Sequence, residues 1–334
     1  MHRKPLTLAC GDYDRTRALL EGTVVPDGID LTYLRLPVEE TFFRMVRHRE
    51  FDVAEMSLSS YCASLGKAET AGVPSPFVAI PVFTSRMFRH GGGIYVNADS
   101  GIEQPSDLIG KKVGNAEFQL TANVWIRGIL EDAYGVPVDA VSYVTGGQET
   151  PGRIEKGAIQ TPYDLSVIPG DRTLSDMLHT GEIDAFYGPR IPSSFYAGDG
   201  KVRRLFPDPV ATEREYFART GIFPIMHVVA IRRDVYEANR WVAMSLFKAF
   251  SEAKKLAQEA FVDASALRYM SPWLIQHAEE DRALLGDDFW SYGLDANRNV
   301  FEPFLGYHHA QGLSPRLLSA DELFAPETLE SFVI

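Results

Sequence analysis

Glu50-Phe51-Asp52-Val53-Ala54 and Glu182-Ile183-Asp184-Ala185-Phe186 share one pattern: an acidic residue, an apolar one, an aspartate, then an apolar run. Each follows a helix-like segment and leads into a strand. The match is short, but it suits a chain of two similar lobes, each presenting strand ends to a shared cleft. In open α/β sheets ligands gather beyond the carboxyl ends of the strands, so binding residues are expected there.

Working outward, residues 6–10 read as a buried first strand. Residues 28–36 alternate as a strand with Ile29, Leu31 and Tyr33 on one side, and residues 51–56 form a short buried strand. Val38–His48 has helical spacing through Phe42, Met45 and Val46. Thr121–Tyr134 has it through Val124, Trp125, Ile129 and Leu130, with Gly135 as a C-terminal stop. Thr173-Leu174-Ser175-Asp176 has the form of a capping box opening a short helix that Gly181 closes. Asp234-Val235-Tyr236-Glu237 opens a longer helix whose apolar face runs through Trp241, Phe247, Phe250, Leu256 and Phe261. Alternating strands and helices predict an α/β protein with mostly parallel sheets flanked by helices.

At 334 residues the chain fits two domains of ordinary size. With 45% apolar and 23% charged residues it reads as a soluble globular protein. No run approaches the ~20 apolar residues that a membrane span needs. A net charge of -12 and a pI near 5.2, without a basic stripe, argue against a nucleic-acid partner. Cys10 and Cys62 are too few for a disulfide framework and lack CxxC spacing. Leu6-Thr7-Leu8-Ala9-Cys10-Gly11 superficially resembles a lipoprotein cleavage site. The apolar stretch after Lys4-Pro5 is shorter than the ~7–15 residues of a signal core, so a cytoplasmic location is expected.

The strand ends deliver Gly11, Asp12, Tyr13 and Asp14; Glu55, Ser57 and Ser59; Asn115 and Glu117; Tyr187, Pro189 and Arg190. Phe223-Pro224-Ile225-Met226-His227 reads as a return connection carrying a histidine. The most concentrated signal is Ser85-Arg86-Met87-Phe88-Arg89-His90, a cationic cluster in an acidic chain. Guanidinium groups match carboxylates in a bidentate fork, and histidine moves protons near neutral pH. An extended segment would put Arg86, Phe88 and His90 on one face and Arg89 on the other. A small anionic ligand is the natural partner. Surface salt bridges and a structural histidine are the plainer alternative.

Several blocks together resemble the 4,5-dihydroxyphthalate decarboxylase family. They are Gly11-Asp-Tyr-Asp-Arg-Thr16, Glu55-Met-Ser-Leu-Ser-Ser-Tyr61, Ser85 to His90, Pro151-Gly-Arg153, Gly181-Glu-Ile-Asp-Ala185, Gly221-Ile-Phe-Pro-Ile-Met-His227 and Tyr307-His-His-Ala-Gln-Gly-Leu-Ser-Pro315. The resemblance spans essentially the whole chain. It implies a two-lobed type 2 periplasmic-binding-protein-like fold with the ligand cleft between the lobes. One lobe would comprise residues 1–90 and 220–334, and the other, inserted, residues 95–200, with crossings near 85–95 and 200–225. The stretch Gly91-Gly92-Gly93 departs from the family pattern and is expected to loosen that connection.

The implied activity is non-oxidative decarboxylation of 4,5-dihydroxyphthalate to 3,4-dihydroxybenzoate and CO2, with no cofactor. A hydroxyl para to the departing carboxylate feeds the ring while the ring carbon is protonated. His90 and His227 are the candidate general acids, with Glu117 a further catalytic candidate. Arg86, Arg89, Arg153 and Arg190 are candidates for the carboxylates, and Asp12, Arg15, Ser57, Ser59 and Tyr187 complete the expected substrate contacts. Each has a duller role: His227 lies among apolar neighbours, Glu117 suits a helix N-terminus, and Asp12 and Asp14 suit a turn. The adjacent His308-His309 diverge on either a strand or a helix and do not chelate a metal by themselves, which leaves a site that joins one of them to His227 and Asp or Glu side chains in space as the metal-binding alternative. A non-catalytic solute-binding protein or sensor for a small aromatic carboxylate would use the same arginines without a proton donor.

Overall fold

The aspartates of the two matching stretches do the same job in two places. Asp52 Oδ2 accepts the Thr7 N–H at 2.8 Å and the Thr7 hydroxyl at 2.9 Å, while its carbonyl accepts the Arg232 N–H at 2.8 Å. Asp184 Oδ2 accepts the Lys112 N–H at 2.8 Å, and its carbonyl accepts the Asn97 N–H at 2.9 Å. In each case an aspartate at a strand entrance ties down a parallel neighbour through its side chain and an antiparallel one through its backbone. The apolar residue before it, Phe51 or Ile183, is buried.

The computed structural model describes residues 3–153 and 161–329. The chain divides into two units, Met1–Arg86, Ile225–Phe301 and Leu318–Ile334 in one and Met87–Pro224 and Glu302–Leu317 in the other. The first unit opens with β1 (Lys4–Cys10), α1 (Asp14–Leu20), β2 (Ile29–Arg35), α2 (Val38–His48), β3 (Val53–Ser57), α3 (Leu58–Thr70) and β4 (Phe77–Arg86). The second contains β5 (Ile94–Asn97), β6 (Lys112–Asn115), α4 (Thr121–Tyr134), β7 (Ser142–Thr145), β8 (Leu165–Val167), α5 (Leu174–Thr180), β9 (Ala185–Tyr187), β10 (Val202–Arg204) and α6 (Pro209–Thr220). The chain then returns through β11 (Ile225–Arg232), α7 (Arg233–Ala238), α8 (Trp241–Phe261) and α9 (Leu274–Leu285) to α10 (Arg298–Ala310).

The first unit's sheet has the order β2-β1-β3-β11-β4 and the second's β10-β5-β9-β6-β7-β8. Both are mixed. β1 is parallel to β2 and β3, whereas the returning β11 runs antiparallel to β3 and β4. In the second unit β6 is parallel to β7 and β9, while β5 runs antiparallel to β9 and the edge strand β10 antiparallel to β5. No helix among the described residues is long and apolar enough to cross a membrane.

Local sequence accounts for several boundaries. Gly135 and Gly181 end their helices in the left-handed conformation, and Thr173 Oγ1 accepts the Asp176 N–H at α5. Three expectations need correction. The long helix expected from Asp234 is two: α7 ends where Asn239 leaves helical geometry, its side-chain amide donating to the Val235 carbonyl, and α8 starts afresh at Trp241. Residues 302–317 pack in the second unit, not with the rest of 220–334. There Phe304 and Tyr307 lie against Trp125, and Arg127 Nε donates to Gln311 Oε1 at 2.8 Å. The extended segment imagined through His90 stops at Arg86, where the units divide, so Arg86 and His90 share no strand face. Beyond it Phe88 stacks on Phe223 with centroids 4.8 Å apart.

The glycines after His90 permit close approach. A Cβ at Gly91 would lie 2.8 Å from the Glu213 side chain and the Pro209 carbonyl, and Glu213 accepts the Gly92 N–H at 3.0 Å. His90 itself is fully buried against the Tyr216 ring, centroids 4.7 Å apart, with neither ring nitrogen in a hydrogen bond of good geometry among the described residues. Burial pushes its imidazole down from 6.5 to about 4, against a weak pull from the Thr212 backbone.

A base held neutral this way couples folding to pH. Below 6.5 the unfolded chain takes a proton at His90 that the folded chain refuses until about pH 4, so its share of stability is full above 6.5 and shrinks toward 4. The cost by pH 4 is about 3 kcal/mol. Scanning calorimetry of His90→Leu beside the wild type should therefore show the variant gaining relative Tm as pH falls through that window. A pH-independent difference would refute the linkage.

Candidate active site

In the first unit the ends of β1, β3 and β4 and the start of β11 lie along one sheet edge. The registers require it: Leu8 pairs with Val53, His227 with Ser57 and Ser85, and Ile225 with Arg86. That edge gathers Gly11, Glu55, Ser57, Thr84, Arg86 and His227 from positions spread over most of the chain.

Glu55 is its centre. Its side chain is 0% exposed, and it sits inside the buried strand Val53-Ala54-Glu55-Met56-Ser57. Gly11 N–H donates to Oε2 at 3.1 Å, the Tyr13 hydroxyl reaches Oε1 at 2.9 Å, and the Thr84 hydroxyl donates to Oε1 at 2.9 Å. His227 Nδ1 lies 2.6 Å from Oε1. The Cys10 thiol approaches Oε2 at 3.6 Å. Burying a carboxylate costs several kcal/mol, whereas each hydrogen bond to a charged group contributes about 1.5–3 kcal/mol. Four good donors, one of them a cation when His227 is protonated, favour the ionised form. Burial alone would raise the carboxyl, but the His227 charge and these hydrogen bonds bring it from 4.5 down to about 2. The neighbouring hydroxyls and thiol go the other way: burial, reinforced by the Glu55 charge, pushes Tyr13 and Cys10 upward, so both stay protonated donors.

His227 is thereby oriented. Nδ1 faces Glu55, the Phe42 ring meets the imidazole edge-on at 4.9 Å, and Nε2 makes no hydrogen bond among the described residues. A carboxylate on one nitrogen fixes the tautomer and stabilises the imidazolium, leaving the other nitrogen to exchange a proton.

Arg86 ends β4 at the same edge, almost fully buried, with Nη1 3.3 Å from both the carbonyl and hydroxyl of Ser291. Burial lowers its guanidinium to about 10, opposed by Asp288 and Tyr292, so it stays cationic at neutral pH. Arg15 stacks between the Tyr13 and Trp290 rings. Ser57 caps α3, its hydroxyl accepting the Ser60 N–H at 3.5 Å, and Ser59 is buried in the same helix. Asp12 stands apart on the surface with Arg17 and Arg35 at 2.6 and 3.1 Å.

The remaining predicted residues belong to the second unit. Glu117, buried after β6, accepts from Arg153 Nε at 3.0 Å and Nη2 at 2.5 Å, so the expected acid and carboxylate binder engage each other. Arg89 is partly buried with Nε against the Met87 sulfur at 2.9 Å, and Arg190 is exposed. Tyr187 lies wholly in the core, its hydroxyl without a hydrogen-bond partner among the described residues. His308 and His309 are both tied to Ser314, the first to its hydroxyl at 3.2 Å and the second to its carbonyl at 3.1 Å. Among the described residues no group of three or more His, Cys, Asp or Glu side chains is placed to hold a metal.

The strand ends delivered Glu55 and Tyr13, but sequence reasoning assigned neither a role, and it missed Thr84, Cys10 and Trp290. A signal for Glu55 was present: an acidic residue inside an apolar strand must find partners when buried.

No family model matches the chain. It is 44% identical over 336 residues to a 4,5-dihydroxyphthalate decarboxylase of Comamonas testosteroni, covering 100% of both chains. It is 44% identical over 219 residues to a 4,5-dihydroxyphthalate decarboxylase of Pseudomonas putida, covering 65% of this chain and 83% of that one. Among solved structures it resembles the alkanesulfonate-binding protein SsuA of Xanthomonas axonopodis pv. citri, with a TM-score of 0.52 at 12% identity over 98% of each chain. It also resembles the desulfurization enzyme DSZB, with a TM-score of 0.53 at 17% identity over 98% of each. At these identities the structural likeness shows the fold alone, which is periplasmic-binding-protein-like.

Because Glu55 is held near 2 in the fold and titrates near 4.5 when unfolded, its stabilisation is present above pH 4.5 and disappears as pH falls through 2. Glu55→Gln should lower Tm by a constant amount above about pH 5, with the gap closing toward pH 2. A gap that stayed open in acid would mean the carboxylate is not held ionised.

Proposed function

The chain belongs to the 4,5-dihydroxyphthalate decarboxylase family, and from that membership we propose that it removes one carboxylate of 4,5-dihydroxyphthalate as CO2, with His227 delivering the proton. The observation that carries the assignment of the acid is the 2.6 Å contact of Nδ1 with buried Glu55, while Nε2 makes no hydrogen bond among the described residues. Arg86 is the anchor for a substrate carboxylate, a buried cation at the same sheet edge.

The two substrate carboxylates are related by symmetry, and each is para to a hydroxyl. That hydroxyl pushes electron density into the ring, so the carbon bearing the leaving carboxylate becomes basic. The imidazolium gives its Nε2 proton to that carbon. The electrons of the carbon–carboxylate bond then return to the ring as CO2 departs, restoring aromaticity. The balance is one dianion and one proton to one monoanion and one CO2. No electrons are exchanged with an acceptor. Glu55 stays ionised throughout and holds the imidazole by Nδ1. Such positioned acids contribute on the order of 10²–10⁴-fold.

The direct test mixes the purified, chelator-treated protein with 4,5-dihydroxyphthalate and follows 3,4-dihydroxybenzoate and CO2. Turnover is expected, and tight binding without product would replace this reading with a solute binder or sensor. His227→Asn should lower kcat about 10²–10⁴-fold with a small change in KM. Arg86→Ala should raise KM about 10–100-fold, the loss of a charge-assisted contact. Full turnover by His227→Asn would remove that residue from the acid role.

A further inference from the structure

We propose that Arg15 is a positioning residue for the Glu55–His227 pair: wedged between Tyr13 and Trp290 and bonded to the Thr84 carbonyl, it holds two of the donors that aim Glu55. The inference rests on the reading of that pair as the proton source.

The guanidinium carbon lies 4.3 Å from the centroids of both the Tyr13 and Trp290 rings. Its Nε donates to the Thr84 carbonyl at 2.7 Å, Nη2 donates to the same oxygen, and Nη1 meets Asp14 Oδ1 at 3.0 Å. Both flat faces and the inner edge of the fork are therefore occupied. That leaves poor geometry for a bidentate grip on a substrate carboxylate, although Arg15 was expected among the substrate contacts.

What Arg15 does touch leads to the acid pair. The Tyr13 ring under the cation carries the hydroxyl that donates to Glu55, and Thr84 donates its own hydroxyl to the same carboxylate oxygen, both at 2.9 Å. Trp290 on the other face is pinned by Nε1–H donating to the Phe83 carbonyl at 2.8 Å, one residue before Thr84. One planar cation thus ties the turn after β1 to the end of β4, with Glu55 between. Lysine, a point charge without a flat face or fork, cannot substitute. The titratable and charged groups around Glu55 are Cys10 on β1, Tyr13 and Arg15 after it, Tyr33 on β2, His227 on β11 and Tyr292.

A cavity of about 370 Å³ borders the stack, lined by Arg15 and Trp290 together with Lys255, Phe261, Val262 and Phe289. It supplies a route for chemical rescue.

The test uses full-length Arg15→Ala and Arg15→Lys. Steady-state kinetics on 4,5-dihydroxyphthalate would be measured across pH, and the His227 ring titrated by NMR in protein labelled with ¹⁵N-histidine, with His227→Asn giving the assignment. In Arg15→Ala, kcat should fall about 10²-fold, the scale of a misaligned catalytic group, with KM nearly unchanged. The His227 titration should move as its carboxylate partner shifts. Added guanidinium should restore part of both effects in Arg15→Ala, and Arg15→Lys should resemble Arg15→Ala. A KM raised about tenfold or more with the His227 titration unmoved would place Arg15 on the substrate and overturn the proposal. If His227→Asn retains turnover, the proton-source reading fails, yet the NMR shift still decides whether Arg15 positions the pair. Should Arg15→Ala not fold, Trp290→Leu removes one face of the stack and should shift the same titration in the same direction; no shift there also overturns the proposal.

Discussion

A carboxylate without access to water lies at the heart of the first unit, and the arrangement of four strands follows from keeping it charged. Glu55 needs donors on several sides, and they come from three separate segments: the turn after β1, the end of β4 and the start of β11. Moving any of these strands by one residue would turn the donor to the other face and leave the acid uncompensated. The turn after β1 is constrained further, because a Cβ at Gly11 would meet the Tyr13 ring at 2.5–2.7 Å. Only glycine there lets the backbone N–H and the tyrosine hydroxyl converge on the same carboxylate.

The molecule handles buried titratable groups in two ways. Glu55 is surrounded by donors and held ionised, whereas His90, deep against Tyr216 and without good hydrogen bonds, is held neutral. Glu117, also buried, lies against the Arg153 guanidinium. The difference matters for chemistry. An ionised acid beside an imidazole with an open nitrogen can hold and release a proton, while a neutral, enclosed imidazole has no route for one. Two histidines that looked equivalent in the chain are separated by their surroundings.

Much of the scaffold was readable without coordinates. The limits of α2 and α4 follow from apolar periodicity and, at α4, a glycine stop, because those signals are local and strong. The pattern around Asp52 and Asp184 pointed to two similar lobes, and the aspartates make equivalent ties in both sheets. The break at Asn239 was not readable, since the apolar face continues across it. Nor was the direction of β11, which depends on the chain leaving one unit and returning. The cationic stretch from Arg86 to His90 looked like a single site because its residues are adjacent, yet the units divide inside it.

By itself the sequence determined the α/β class, several element boundaries and the strand ends on which Gly11, Tyr13 and Glu55 would fall. It also carried the family resemblance. These properties are local: periodicity, caps, turn residues and motifs all act over a few neighbours. Only the tertiary structure decided that Glu55 pairs with His227, 172 residues away, and that Arg15 is spent on two rings and a backbone carbonyl. Those facts depend on strand order and register, and a burial cost that only the assembled sheet imposes selects among the partners a chain could offer.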